Sequence, residues 1–222
     1  MPLQSPSDAT DRVSKIAIEH LGLRDYESAL EQQRRIHLEV ASGHRPNTLL
    51  LLEHPSIYTA GKRTQPFEMP SDGTPVINVD RGGRITWHGP GQLVGYPIVK
   101  LLKPTELVGF VRTIEGALIK VCDEFGLNAI RIDGRSGVWL GDSKGDRKIA
   151  AIGIRVASGV TMHGFALNID PDLSAFSQIV PCGIADAAVT SLAKELQREI
   201  SISEVAPIVE KYLLEALGKV SA

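Results

Sequence analysis

Two cysteines are the candidates for a covalent nucleophile in this chain, and their surroundings differ. Cys122 falls in an apolar stripe of helical spacing, and free cysteine is often buried, so we assign it to the core. Cys182 stands in IVPCGIADAAVTS, where Pro181 and Gly183 break regular structure and favour a turn or loop. The glycine permits close approach of a substrate and leaves backbone N–H groups to bind an oxyanion. A small buried residue at a loop corner is the alternative.

A nucleophilic cysteine needs a neighbour that favours its thiolate, because a free thiol is only about 3% ionised at pH 7. Histidine is the usual partner, but lysine can act as a charged ammonium or as a neutral amine that takes the thiol proton. Lys148 opens the apolar run IAAIGIRV, so we expect its amine to be partly desolvated. A solvated lysine at a strand end is the alternative reading.

A glycine-rich stretch, RGGRITWHGPGQLVGYP, covers residues 81–97. Two glycine turns flank Thr86, Trp87 and His88, a pattern typical of a pocket wall in which a ligand lies against the backbone. A hairpin whose turns need glycine is the alternative. The segments AIG (151–153) and HGFALNI (163–169) alternate small and apolar residues, as expected for a narrow apolar slot or for a tightly packed sheet face.

Composition and motifs exclude several classes of function. The 222 residues predict one domain, 1–222, in which residues 1–12 form a loose tail. A net charge of -2 with interspersed signs argues against a nucleic-acid partner, and no apolar run approaches the roughly 20 residues that span a membrane. The chain holds neither a G-x-G-x-x-G leading from a strand into a helix nor a G-x-x-x-x-G-K-[ST] phosphate loop. Two cysteines without a C-x-x-C indicate a reducing cytoplasm and no metal site.

The elements that must position these residues follow from apolar periodicity. The pattern predicts helices at 25–43, at 107–125 and at the C-terminus, starting near Thr190 and near Ser203. Strands are predicted at 48–54, 57–58, 76–79, 93–99, 129–132, 136–140, 148–156 and 160–169. Helices at both ends of a strand-rich middle predict an α+β domain with a mixed sheet and helices packed on it.

Seven segments together resemble the octanoyltransferases of lipoate biosynthesis. They are LLLLEHP, YTAGKRT, RGGRITWHGPGQLVGYP, RIDGRSGVWL, RKIAAIGIRV, HGFALNI and IVPCGIADAAVTSL, in order between about residues 49 and 192. The resemblance implies the fold of lipoate and biotin protein ligases. It also implies transfer of octanoyl from an acyl carrier protein to a lysine of lipoyl domains, in E2 subunits of 2-oxoacid dehydrogenases and in the glycine-cleavage H protein, with no cofactor.

The same resemblance assigns roles to individual residues. Cys182 matches the cysteine that carries the acyl thioester, and Lys148 matches the lysine that tunes it. The positions that match substrate-binding segments are Arg81, Gly82, Gly83, Arg84, Ile85, Thr86, Trp87, His88, Ala151, Ile152, Gly153, Gly164, Phe165 and Ala166.

Three other functions are compatible with parts of the pattern. An ATP-dependent lipoate or biotin ligase would form an acyl-adenylate and would need no cysteine nucleophile. A fatty-acyl carrier or sensor would bind without turnover, and a cysteine hydrolase would release free octanoate.

Overall fold

The structure is a computed structural model that describes residues 16–70, 73–143, 145–179 and 188–222. Within these residues the helices are α1 (Tyr26–Ala41), α2 (Leu107–Glu124), α3 (Leu192–Leu196) and α4 (Ile202–Leu217). The strands are β1 (Ala17–Leu23), β2 (Thr48–Glu53), β3 (Ile57–Ala60), β4 (Val76–Asn78), β5 (Thr86–His88), β6 (Gln92–Ile98), β7 (Ile130–Ile132), β8 (Arg135–Asp142), β9 (Gly145–Ala157), β10 (Val160–Asn168) and β11 (Ala188–Val189). Short 3-10 helices cover Pro66–Glu68 and Leu173–Gln178.

The strands form one large and one small sheet. In the large sheet the order is β1-β2-β6-β10-β9-β8-β7, and β11 pairs with β9. The β1–β2 and β9–β11 pairs are parallel, whereas the other pairs of this sheet are antiparallel. The small sheet has the order β4-β3-β5. This mixed sheet with packed helices confirms the predicted α+β class.

Local signals in the sequence explain where the helices begin and end. The N–H of Ser28 donates to the Asp25 carboxylate at 2.9 Å, so Asp25 caps α1 at the predicted start of the helix. Gly126, with a φ of 74°, follows α2 and allows the chain to leave the helix in the left-handed conformation. Ser201 caps α4 by accepting the N–H of Glu204 at 3.2 Å. The predicted helices are therefore confirmed within a few residues.

The two faces of the large sheet differ. One face, which we call the core face, packs against α2 and α4 and carries Ala150, Ile152, Ile154, Phe165 and Leu167. The other, the cavity face, carries α1 and the residues that alternate with these along β9 and β10. The apolar run of β2 divides between both faces, which explains why all four of its leucines are buried.

Cys122 lies in the core, as predicted. Its side chain on α2 is fully buried in the cluster of the core face, and burial raises the pKa of its thiol to about 12. A buried thiol with a raised pKa carries little thiolate at neutral pH, which argues against Cys122 as the nucleophile.

Three outcomes complete the comparison with the sequence. The predicted strands are confirmed, but β1, β5 and β11 were not predicted. The predicted tail, residues 1–12, lies outside the described residues. No helix in the described part of the chain is both long and apolar enough to cross a membrane.

Candidate active site

A cavity of about 300 Å³ lies against the cavity face of the large sheet. Its walls are β9 and β10, the loop that precedes β5, and the first residue of α1, Tyr26. All the predicted substrate-binding residues except Gly82 and Trp87 line it, and so does Lys148. The structure thus brings together residues that are more than 80 positions apart in the sequence. Whether they bind substrate remains a prediction.

The orientation of Lys148 depends on a bulge in β9. Val138 of β8 pairs with Ala150, but the next residue, Trp139, pairs with Lys148, so Ile149 is an extra residue on β9. Strict alternation would place Lys148 on the core face with Ala150 and Ile152, because side chains two apart share a face. Instead Ile149 and Ala150 both enter the core, and Lys148 joins Ala151 in the cavity wall. The bulge therefore turns the lysine towards the cavity.

The side chain of Lys148 is confined by its neighbours. It is only 8% exposed, and its Nζ lies 4.5 Å from the centroid of the Trp139 ring, a cation–π contact. Gly137, with a φ of 116°, passes so close that an added Cβ would lie 3.3 Å from the Cε of Lys148. Lys148 is therefore nearly buried, in agreement with the expectation that its amine is partly desolvated.

The loop before β5 is shaped around the guanidinium of Arg81. This side chain is 8% exposed and donates to the carbonyl oxygens of Thr59 and Arg84, each at 2.8 Å, and to Gly82 at 3.1 Å. A buried cation requires such acceptors in place of water. Arg81 thereby fixes the curvature of residues 81–84 against β3.

Two of the predicted residues support this wall from behind. The indole N–H of Trp87 donates to the Ser56 hydroxyl at 2.9 Å, and its ring packs edge to face against Phe176 at 5.5 Å. The N–H of Gly82 donates to the carbonyl of Ile154 at 3.1 Å, which ties the loop to β9. Neither residue lines the cavity.

Small residues on β9 and β10 keep the cavity open and let the backbone approach closely. A Cβ on Gly164 would overlap the carbonyl oxygen of Gly95 on β6. A Cβ on Gly153 would come within 2.9 Å of Cδ of Arg81 and 3.0 Å of the Gly82 carbonyl oxygen. Packing therefore requires glycine at these two positions. The small residues of β9 and β10 both line the cavity and allow close packing of the sheet, so the two alternatives do not exclude each other.

Four aromatic side chains close one side of the site: Tyr26, His54, His88 and Tyr96. His54 contacts the Arg24 carbonyl at 2.7 Å, which can only accept, so its Nδ1 carries the proton and its Nε2 accepts the Tyr96 hydroxyl at 2.8 Å. Burial raises the pKa of Tyr26 to about 12 and lowers the pKa of His54. Burial also raises the pKa of Tyr96, so the hydroxyl groups of Tyr26 and Tyr96 are both protonated and uncharged at neutral pH.

His88 is uncharged for the same reason. Burial, reinforced by the nearby His54, lowers its pKa to about 3. Its Nδ1–H donates to the side-chain oxygen of Gln92 at 2.8 Å, and Gln92 in turn donates to Asn168 at 2.8 Å. Nε2 of His88 accepts the Thr59 hydroxyl at 3.5 Å. His88 therefore lines the cavity wall without adding a positive charge there.

Asp80 and His163 connect the glycine-rich loop to β10. Nε2 of His163 donates to Asp80 at 2.7 Å, and Arg155 forms an ion pair with the same carboxylate. Burial raises the pKa of Asp80, but the hydrogen bond from His163 and the two neighbouring charges outweigh it and lower that pKa overall. His163 is 1% exposed, and its backbone is strained, with a φ of 59°. Its backbone N–H donates to the side-chain oxygen of Gln33 at 3.0 Å, which holds this conformation in place.

Several cavity residues were not assigned to the site from sequence: Tyr26, Arg63, Tyr96, Gly134, Arg135, Ser136 and His163. Tyr26 lies in the helix predicted at 25–43, and its sequence pattern gives no sign of a position in a cavity wall. Arg63 and the segment 134–136 stand in stretches that carry the family resemblance, and this was the available signal. The other predicted catalytic residue, Cys182, lies outside the described residues. In the described part of the chain no group of three His, Cys or carboxylate side chains could hold a metal ion.

The chain is similar to known proteins over most of its length. The family model "Lipoyl protein ligase A/B catalytic domain" matches residues 25–214. An octanoyltransferase of Salinispora arenicola is 57% identical over 211 residues, which cover 94% of this chain and 99% of that protein. One from Acidothermus cellulolyticus is 60% identical over 204 residues, 91% of this chain and 92% of the relative.

Solved structures resemble this chain in fold. A bi-partite lipoate protein ligase, described with its E2 lipoyl domain, from Thermoplasma acidophilum has a TM-score of 0.66 at 15% identity. The match covers 91% of this chain and 84% of that one. A lipoate-protein ligase A bound with ATP has a TM-score of 0.63 at 14% identity, covering 91% and 85%.

Proposed function

This chain belongs to the octanoyltransferases of the lipoyl protein ligase A/B catalytic family, and we propose that it transfers octanoyl from an octanoyl-acyl carrier protein to a lysine of lipoyl domains through a thioester on Cys182. As a member of that family it is an acyltransferase. The proposed acceptors are E2 subunits of 2-oxoacid dehydrogenases and the glycine-cleavage H protein, and the proposed context is lipoate biosynthesis in the cytoplasm.

One observation carries the proposal: the bulge that turns Lys148 into a cavity walled by Ala151 and Gly153. A strand-end lysine with no role would be expected to extend into solvent, where water hydrates its ammonium group. The amine is instead held at the wall of a cavity, beside the small residues Ala151 and Gly153. This is the place where an amine could act on a thiol that carries a fatty chain.

Chain connectivity supports a partnership with Cys182. Val189 and Thr190 run beside Lys148, since Val189 pairs with it in β11 and the Thr190 N–H donates to its carbonyl at 3.0 Å. At the other end of the interval, Ile179 packs in the cluster that contains Ile85 and Trp87. Both flanks of the segment that contains Cys182 therefore lie near the cavity walls.

The proposed chemistry has two steps. The thiolate of Cys182 attacks the thioester carbonyl of the donor, the donor thiolate leaves, and the acyl–sulfur bond is re-formed on Cys182 at little change in free energy. The acceptor amine then attacks this thioester, loses a proton and expels the cysteine thiolate, giving an amide in a downhill step. Lys148 would favour the first thiolate by its charge and, as a neutral amine, could take the proton of the acceptor. No ATP enters the balance.

The octanoyl chain itself would be bound by apolar contact. Each buried methylene contributes about 0.8 kcal/mol, so an eight-carbon chain gains several kcal/mol in an apolar slot. Ala151 and Ala166 supply such contacts in the cavity wall. The neutral forms of His54 and His88 keep that region free of added charge.

The proposal is tested by intact-mass spectrometry after the protein is mixed with octanoyl carrier protein. We expect a mass gain of one octanoyl group that maps to Cys182, that Cys182→Ala abolishes, and that the matched variant Cys122→Ala retains. Equal labelling of the two variants would refute the assignment. Transfer activity that strictly requires ATP and persists in Cys182→Ala would indicate a ligase. Free octanoate as the main product would indicate a hydrolase. Stoichiometric binding without transfer would indicate an acyl carrier.

A further inference from the structure

The charged residues that line the cavity are all basic among the residues the structure describes. Arg81 and Lys148 are each 8% exposed and lie inside, whereas Arg63, Arg84 and Arg135 are more exposed. We call the last three the cationic rim. Because the whole chain has a net charge of -2, this concentration of one sign is local and not a property of the protein surface. A cleft lined by charges of one sign focuses the electrostatic field and attracts the opposite sign.

The cationic rim is held in place by specific contacts. The backbone N–H of Arg63 donates to the carbonyl of Gly83 at 3.0 Å, and that of Lys62 donates to Arg81 at 3.1 Å, so the turn at 61–64 is fixed to the glycine-rich loop. The guanidinium of Arg84 pairs with Glu68, whose side chain is fully buried. The second oxygen of Glu68 accepts the Gln65 N–H at 2.7 Å. A buried carboxylate thus anchors Arg84 from behind.

Carboxylates pair with two of the three arginines of the cationic rim but not with the third. Glu68 offsets Arg84, and Asp146 lies 3.4 Å from Arg135. No described carboxylate forms an ion pair with the guanidinium of Arg63. Arg63 is also exposed, so an anion can reach it from solvent while still touching the cavity.

We propose that the cationic rim binds a phosphate group on the arm that presents the acyl thioester to the cavity. Guanidinium groups donate paired N–H groups in a planar fork that matches phosphate oxygens. A narrow phosphate-bearing arm can enter a cavity of about 300 Å³, whereas a folded carrier protein must remain outside. The inference rests on the proposed function, because it assumes that the cavity receives an acyl donor.

The test compares three octanoyl donors that differ in what the thiol arm carries. Octanoyl-pantetheine has no phosphate, octanoyl-coenzyme A has phosphate but no protein, and octanoyl carrier protein has both. The variant is Arg63→Gln, because replacing Arg84 would leave the buried Glu68 without its partner. Lys62→Gln is the matched control, since it removes one exposed charge from the adjacent residue, which does not line the cavity.

The measured quantity is the ratio of kcat/KM for each phosphate-bearing donor to kcat/KM for octanoyl-pantetheine. We expect Arg63→Gln to lower this ratio about tenfold for both octanoyl-coenzyme A and octanoyl carrier protein, as loss of a charged hydrogen bond would do. Lys62→Gln should keep the wild-type ratio. A ratio unchanged by Arg63→Gln would overturn the inference. So would a decrease confined to the carrier protein, because it would assign the rim to carboxylates of that protein.

The outcome for the proposed function is separate. If the wild-type enzyme transfers octanoyl from none of the three donors to a lipoyl domain, the proposed function fails. If it transfers from all three with ratios that Arg63→Gln leaves unchanged, the proposed function stands and only the phosphate site is wrong.

Discussion

The same two strands, β9 and β10, present two different surfaces. On the core face, Ile152, Ile154 and Leu167 pack against α2 and α4 in a cluster of buried aliphatic side chains. On the cavity face, the intervening positions are Ala151, Gly153, Gly164 and Ala166, beside buried arginine, lysine and histidine. Alternation along a strand therefore separates residues that stabilise the fold from residues that shape the site.

This division has an energetic meaning. Large side chains on the core face supply apolar contact, at about 25 cal/mol for each square ångström removed from water. Glycine and alanine on the cavity face supply little of it, and the nearby buried polar groups are stabilised only by hydrogen bonds and ion pairs. We therefore expect substitutions of large side chains on the core face to change stability, and substitutions of Ala151 and Ala166 on the cavity face to change activity.

The largest loss of activity is expected on substitution of Lys148, which the bulge places on the cavity face. Lys148→Met should lower kcat for octanoyl transfer by about 10²–10⁴, because it removes the amine but keeps an apolar stem over Trp139. It should also move alkylation of the Cys182 thiol to higher pH, because the proposed amine–thiol pair would lose its positive charge. Both quantities are measurable with a chromogenic thiol reagent and a transfer assay.

The neighbouring cation, Arg147, is the control. It pairs with Glu195 and Asp142, each at 2.8 Å, so Arg147→Met should lower the free energy of unfolding more than it lowers kcat per folded molecule. A pH profile of thiol alkylation that Lys148→Met leaves unchanged would argue against the amine–thiol pair.

The second effect concerns the core face. Leu167→Ala removes a fully buried side chain and should lower the free energy of unfolding by about 2–5 kcal/mol, measured by urea denaturation. The kcat/KM of the folded enzyme should change little. The adjacent Ala166→Val is the counterpart on the cavity face, where added methyl groups should lower kcat/KM for octanoyl donors. The comparison of faces breaks down if both variants lose activity to the same extent at equal folded concentration.

The smallest effect is a pH dependence on the cavity side. The folded-state pKa of His88 is about 3, below its ordinary value near 6.5, so on acidification the unfolded chain takes up a proton that the folded chain refuses. Stability is therefore lost as the pH falls from about 6.5 towards 3. Between pH 6.5 and 5 the wild type should lose about 1.5 kcal/mol more than His88→Gln, in which this group does not titrate. Urea denaturation at the two pH values measures the loss in free energy of unfolding. An equal loss for the wild type and for His88→Gln would contradict the low pKa of His88.

Much of the architecture was predictable because it depends on local patterns. The cap at Asp25, the apolar stripe of α2 and the glycine after it are signals within one turn of helix, and they placed those helices within a few residues. The strand β1 was missed because its burial is partial and its parallel pairing with β2 is formed with residues about 30 positions away. No local pattern encodes such a partner.

The candidate site shows the same limit. Motif segments identified the loop at 81–88 and the small residues of β9 and β10, because residue type alone carries that information. Tyr26 was not identified, since a buried tyrosine in a helical stripe has the same pattern whether it faces a core or a cavity.

By itself the sequence determined the kinds of elements, the α+β class, the burial of Cys122 and the family to which the chain belongs. Only the tertiary structure decided which way Lys148 points. The run KIAAIGIRV gives no sign that Ile149 is an extra residue, because a bulge is defined by the pairing of β9 with β8 and not by β9 alone. A shift of one residue in a strand exchanges its two faces, and here that exchange moves an amine from the core side to the cavity.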